Sequence, residues 1–208
     1  VSRRYAGSFW STFGRLVVVG RNVGFTGFLT VFSLLAAPYM AYVAVSSYVY
    51  VQYFALSEQV YSYFFAANSF FAVIGPFLYM KLIGIVTPRQ FTYGCFLFTA
   101  VAAVALLTVG SLSPWCFLAA FLPVTVMESA ARPFSTAILL DQQKTDIGSA
   151  SSLINAVNTV FGSLGMLLGA LNWGNFIDGL GIITAVCAIL AIGGWCFLLH
   201  FKVRIEGL

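Results

Sequence analysis

The order of apolar and polar positions divides the chain into six long apolar stretches separated by short polar breaks. The stretches run over residues 23–51, 60–85, 91–110, 115–140, 152–176 and 180–200. Each holds about the 20 apolar residues that a helix needs to cross about 30 Å of hydrocarbon. The breaks carry turn chemistry: Leu56-Ser57-Glu58-Gln59, Thr87-Pro88-Arg89-Gln90, Ser111-Leu112-Ser113-Pro114, Asp141 to Gly148, and Asp178-Gly179. Several stretches exceed the minimum, which predicts tilted or kinked helices. Pro38, Pro76, Pro123 and Pro133 fall inside them, where neighbouring helices must satisfy the freed carbonyls. The pattern predicts an all-α integral membrane protein with six transmembrane helices.

Composition agrees. Of 208 residues 61% are hydrophobic and only 8% charged, too few charges to solvate the surface of a globule. Nucleic-acid-binding, disordered and disulfide-stapled classes drop out on the same figures. A net charge of +4 matters here through its placement. Nine of the ten basic residues flank the odd-numbered entrances and even-numbered exits of the spans. They are Arg3, Arg4, Arg15, Arg21, Lys81, Arg89, Lys144, Lys202 and Arg204; the tenth, Arg132, is inside the fourth span. The positive-inside rule therefore predicts that both termini are cytoplasmic. Residues 1–21 read as a basic cytoplasmic arm, either an interfacial amphipathic helix or a plain linker. Residues 22–201 are the membrane unit and 202–208 a cytoplasmic tail.

Polarity is spread unevenly over the spans. The third and sixth are nearly free of polar groups and read as lipid-facing scaffold. The first places Tyr39, Tyr42, Ser46, Tyr50 and Tyr53 on one helical face, in steps of three and four residues. Tyr39, Tyr42 and Ser46 are candidates for a ligand cavity, whereas Tyr50 and Tyr53 fit an interfacial aromatic belt. The fourth holds Glu128 and Arg132 four residues apart, close enough to pair, with Ser129 between them. An intramembrane charge costs at least about 2.5–3.5 kcal/mol, so this face should turn inward to a bundle or a wet cavity. The pair is read either as a proton- or substrate-handling site or as a static lock on helix register. Asn68 in the second span and Asn155 and Asn158 in the fifth add polar candidates. Gly162, Gly165 and Gly169 give the small-residue spacing of close helix packing.

No enzymatic constellation is present: no phosphate-binding loop, nucleophile elbow, zinc-protease motif or paired membrane carboxylates. With one histidine, His200, and four scattered cysteines, no metal site and no cofactor are expected.

The sequence resembles the C-terminal half of bacterial drug:proton antiporters of the Bcr/CflA multidrug-efflux type, within the major facilitator superfamily. The basic arm with FWSTFGRLVVVGRNVGFTGFLTVF is similar to the family's central loop running into its seventh helix. YFALSEQVYSYFFAANSFFAVIG resembles the short external loop and eighth helix, with Asn68 on the family's helix asparagine. DIGSASSLINAV resembles the opening of the eleventh helix. The resemblance implies two three-helix inverted repeats forming one half of a twelve-helix transporter, as a fragment or as a half-size chain that pairs with another. It implies an N-terminal six-helix half as partner, in the same chain or another, and an inner-membrane location in contact with lipid. Proton-coupled efflux of an amphiphilic small molecule by alternating access is the implied activity, with no nucleic-acid partner. Lys81 and Arg89 would hold the inner gate or orient the helices. The family carries Pro-Asn in its tenth helix where this chain has Arg132-Pro133 preceded by Glu128. That departure admits an anionic, zwitterionic or peptide-like substrate. A non-transporting membrane scaffold and an importer of the same fold are the rival readings.

Overall fold

A computed structural model describes residues 20, 22–142 and 147–202. Arg3, Arg4, Arg15, Arg21, Lys144 and Arg204 lie outside the described residues, so most of the charge asymmetry has no structural counterpart here. Among the described residues the chain is all helical and has no strand. Six helices are long and apolar enough to cross a membrane: α1 (Val23–Tyr53), α2 (Glu58–Leu82), α3 (Pro88–Val109), α4 (Pro114–Asp141), α5 (Ile147–Gly169) and α6 (Phe176–His200).

The polar breaks act as caps. Orphan backbone N–H groups at a helix start need an acceptor, and a described residue supplies one at the start of α1, α2, α3, α4 and α6. Asn22 accepts from Gly24 and Phe25, Ser57 from Val60, Ser113 from Cys116 and Asn175 from Ile177. Thr87 and Gln90 form a reciprocal capping box, followed by Pro88 at the first helical position.

Two helix limits differ from the apolar pattern. Expected over 152–176, α5 runs from Ile147 to Gly169. Its early serines are accommodated in the helix: the Ser152 hydroxyl donates back to the Gly148 carbonyl at 3.0 Å. At the other end Trp173 Nε1 donates to the Leu168 carbonyl at 2.8 Å, which satisfies the helix end ahead of the Asn172–Asn175 turn chemistry. Asp178 lies in the first turn of α6, where its charge suits the helix dipole, and the break falls earlier, at residues 170–175.

α1 is not a uniform rod. It consists of Val23–Ser33, Ala36–Ser47 and a π-helical turn Tyr48–Tyr53, with a break at Leu34-Leu35. Pro38 causes the break, because it has no N–H for the Leu34 carbonyl and its ring crowds that oxygen. The ladder tightens locally, with Leu35 N donating to Phe32 O at 3.1 Å. At the far end Phe54 N reaches back five residues to Val49 O at 3.0 Å, and Ala55 at φ 51° terminates the helix.

The principal packed pairs are α2 with α4, α1 with α5, α3 with α6, α3 with α4 and α1 with α6. Exchanging α1, α2 and α3 with α4, α5 and α6 returns the same set. α1 and α4 are central, with 67% and 50% of their most apolar windows buried, against 17% for α2 and 22% for α5. The core falls into two clusters, one at each end of the bundle. Phe28, Phe32, Phe134 and Trp195 dominate the first, and Tyr42, Tyr50, Phe117 and Phe121 the second.

Candidate functional site

Each flanking helix is tied to a central helix by the same two devices. On α2, Asn68 is buried and its Oδ1 accepts from the Thr125 hydroxyl on α4 at 2.7 Å. On α5, Asn158 Oδ1 accepts from the Ser33 hydroxyl on α1 at 2.8 Å. Seven residues after each asparagine stands a glycine. Gly75 meets Ser129 and the backbone of Val126 and Ala130, and Gly165 meets the backbone of Ala37, so neither place has room for a Cβ. Gly162 and Gly169 extend the second contact along α1, a Cβ there standing 3.1 Å from Met40 and 3.2 Å from Ala41. Small residues thus bring the backbones together, and a hydroxyl-to-amide bond holds each pair in the absence of a hydrophobic drive between helices in lipid.

Between these ties lies the charge pair. Arg132 Nε donates to Glu128 Oε1 across one helical turn. The two ends of the pair meet different surroundings: the Glu128 side chain is 6% exposed and that of Arg132 49%. Arg132 opens onto a groove of about 270 Å³ between α1, α4 and α5, which Met40, Asn155, Asn158, Thr159, Gly162, Ser163 and Met166 also line. Tyr39, partly buried, comes within electrostatic reach of both Glu128 and Arg132. The groove therefore combines one open guanidinium, two amides, two hydroxyls and two thioethers, with the Glu128 carboxylate buried behind the guanidinium. That set can neutralise a charged group, hydrogen-bond in both senses and accept apolar bulk.

The structure brings Tyr39, Glu128, Arg132 and Asn155 to one place. The other expected cavity residues are placed differently. Tyr42 is fully enclosed, stacked on Phe121 at 4.3 Å and on Phe117 at 5.9 Å. Ser46 is buried and bonded to the Tyr61 hydroxyl at 3.3 Å. Asn68 is spent on its tie to Thr125, and Ser129 donates to the Val126 carbonyl beside Gly75. Tyr50, expected in a surface belt, is buried against Phe64 at 4.8 Å. Lys81 and Arg89 are exposed at the end of α2 and the start of α3. They flank a mostly apolar cleft of about 690 Å³ lined by Tyr79, Phe91, Phe134 and Asp141. The four cysteines are free, and no cluster of metal-ligating side chains occurs among the described residues.

Asn158 and Gly75 were the less obvious members of the arrangement. The signal for them is the repeated asparagine-to-glycine spacing in two helices, which becomes meaningful once α2 and α5 are seen to occupy equivalent places. No protein-family model and no curated protein matches this chain.

Proposed function

We propose that this chain is one six-helix half of a proton-coupled secondary transporter of the major facilitator type, related to the Bcr/CflA drug antiporters. The observation that carries the reading is the Glu128–Arg132 pair, whose Arg132 opens onto a groove between α1, α4 and α5 of a bundle built from spanning helices. A half-exposed guanidinium at that depth is costly against lipid, so its face borders water, substrate or a second six-helix unit. The interchange symmetry of the helix pairs supports two three-helix repeats. Successive spans alternate in direction, so a repeat of three is necessarily inverted with respect to its neighbour, and a site at the repeat interface then falls near the midplane.

In this reading both termini are cytoplasmic and the protein resides in the inner membrane. Tyr39, Asn155 and Asn158 orient an amphiphilic substrate, and Arg132 holds its anionic group. Glu128 exchanges a proton as the site changes access. A balanced pair suits a zwitterion better than a simple cation, since an added charge of either sign would be left without a counter-charge.

The test uses everted membrane vesicles containing the protein, acidified inside, with norfloxacin as a zwitterionic amphiphile and a pH-sensitive dye as readout. Norfloxacin addition collapses part of the pH gradient in the parent protein. Glu128→Gln and Arg132→Ala each reduce the initial rate on the order of tenfold, the equivalent of about 1.4 kcal/mol. Parent-like rates in both variants would remove the pair from the mechanism.

A further inference from the structure

The cleft beside Lys81 and Arg89 takes no part in the Arg132 groove. It holds about 690 Å³, within the range of small-ligand sites, between the end of α2, the α2–α3 connection, the start of α3 and the end of α4. A tight turn builds one wall. Gly84 at φ 83° adopts a conformation that favours glycine, and the Ile85 and Val86 N–H groups both donate to the Leu82 carbonyl, at 3.0 and 3.1 Å. The capping box of Thr87 and Gln90 then fixes the start of α3. Tyr79, Phe91 and Phe134 pack ring on ring in the apolar lining, with Tyr79 5.5 Å from Phe91 and 5.8 Å from Phe134, and 4.6 Å between the two phenylalanines. The site is therefore preformed and held by backbone bonds.

Two features indicate what covers it. Ile83 and Ile85 of the turn line the cleft and are 59% and 78% exposed. Isoleucines that open between two spanning helices suit acyl chains and the headgroup boundary better than water. The second feature is charge. Lys81 adjoins Leu82 of the lining and Arg89 adjoins Pro88, and both cations are exposed. Lys202 stands at the same end of the bundle, because Trp195 and Leu198 of α6 share one core cluster with Phe91 and Phe134. Glu58 and Asp178 begin their helices at the opposite end. Basic residues at the rim of a pocket between membrane helices recognise anionic lipid headgroups.

We propose that this cleft binds phosphatidylglycerol, an anionic phospholipid. An acyl chain lies against Tyr79, Phe91 and Phe134, and the phosphate sits between Lys81 and Arg89. An inorganic anion would leave the aromatic lining wet, and a neutral lipid would leave both cations without a counter-charge. Asp141, also in the lining, opposes a bare phosphate but accepts hydroxyls, which a glycerol headgroup supplies. The proposal draws on neither the transport activity nor the orientation proposed above.

The test is photolabelling of the full-length protein carrying this chain, reconstituted in phosphatidylcholine vesicles. A trace of phosphatidylglycerol with a diazirine in its acyl chain is present in both leaflets, so orientation does not enter the result. Mass spectrometry of the peptides finds the label between Tyr79 and Phe91 and between Phe134 and Asp141. Excess unlabelled phosphatidylglycerol removes it, and phosphatidylcholine with the same chains does not. Lys81→Gln and Arg89→Gln each lower this labelling roughly fivefold, and together on the order of 30-fold. Ala137→Phe, which fills the cleft from α4 with the cations intact, abolishes it. Labelling of the apolar α6 surface at Val186 and Ile189 stays at the parent level and reports that each variant is folded in the membrane. The competition arm uses the parent protein alone and decides the matter even where a variant fails to fold. Equal competition by phosphatidylcholine, or cleft labelling no stronger than that of α6, overturns the proposal. Displacement by norfloxacin but not by phosphatidylglycerol assigns the cleft to the transported amphiphile and overturns it as well.

Discussion

At the scale of single residues, the polar atoms divide into those that hold the bundle and those that face the groove. Arg132 belongs to both groups. Removing its guanidinium leaves the buried Glu128 carboxylate without its partner, so Arg132→Ala destabilises the protein by on the order of 2 kcal/mol, less than for a fully buried pair because Arg132 is half exposed. Adding Glu128→Gln to that variant recovers part of the loss, and thermal unfolding of the two single variants and the double variant measures the non-additivity. Asn68→Ala strands the Thr125 hydroxyl and costs roughly 0.6–1.7 kcal/mol, as interhelical bonds in membranes do. The charge pair was legible in the sequence because a spacing of four residues fixes proximity on a helix before any tertiary contact is known. Tyr42 was not, because its stripe fits a ligand wall and a packed core equally well; only the position of Phe117 and Phe121 on α4 decides for the core.

At the scale of elements, the glycines separate tight contacts from free surface. A Cβ at Gly165 collides with the Ala37 backbone, which cannot move aside as a flexible side chain would. Gly165→Ala therefore costs about 1–3 kcal/mol through forced separation of α1 and α5. Gly193→Ala on α6 meets nothing within 4 Å and is neutral or gains roughly 0.5–1 kcal/mol, the helical advantage of alanine. Unfolding midpoints of the two variants, measured side by side in the same detergent, have opposite signs or clearly different sizes. The six helices were readable from apolar length, and five of them also from the serine, threonine or asparagine that caps them. The limits of α5 were not, because Ser149, Ser151 and Ser152 look like a connection, whereas all three lie within the helix and Ser152 bonds back to the Gly148 carbonyl. The break in α1 follows from Pro38 alone, yet the π turn beyond Tyr48 has no comparable signal in the residues that form it.

At the scale of the whole molecule, the account depends on which faces meet water. α2 and α5 are the least buried helices, and α5 carries Asn155, Thr159 and Ser163 on the side of the groove. α6 instead exposes Val186, Ile189 and Leu190, an apolar surface suited to lipid. Polarity repeating over three spans foreshadowed this division, but the matched ties Asn68–Thr125 and Ser33–Asn158 emerge only when distant helices are brought together. The most direct measurement replaces Cys95, Cys116, Cys187 and Cys196 by serine or alanine and then introduces single cysteines at Asn155, Thr159, Ser163, Val186 and Ile189. Each variant in intact membranes is treated with a charged, membrane-impermeant thiol reagent, from either side. A wet transport groove predicts that cysteines at Asn155, Thr159 and Ser163 react and that those at Val186 and Ile189 do not. If the three groove positions are as unreactive as the two on α6, the face at Arg132 is sealed in static contacts and the transporter account is contradicted.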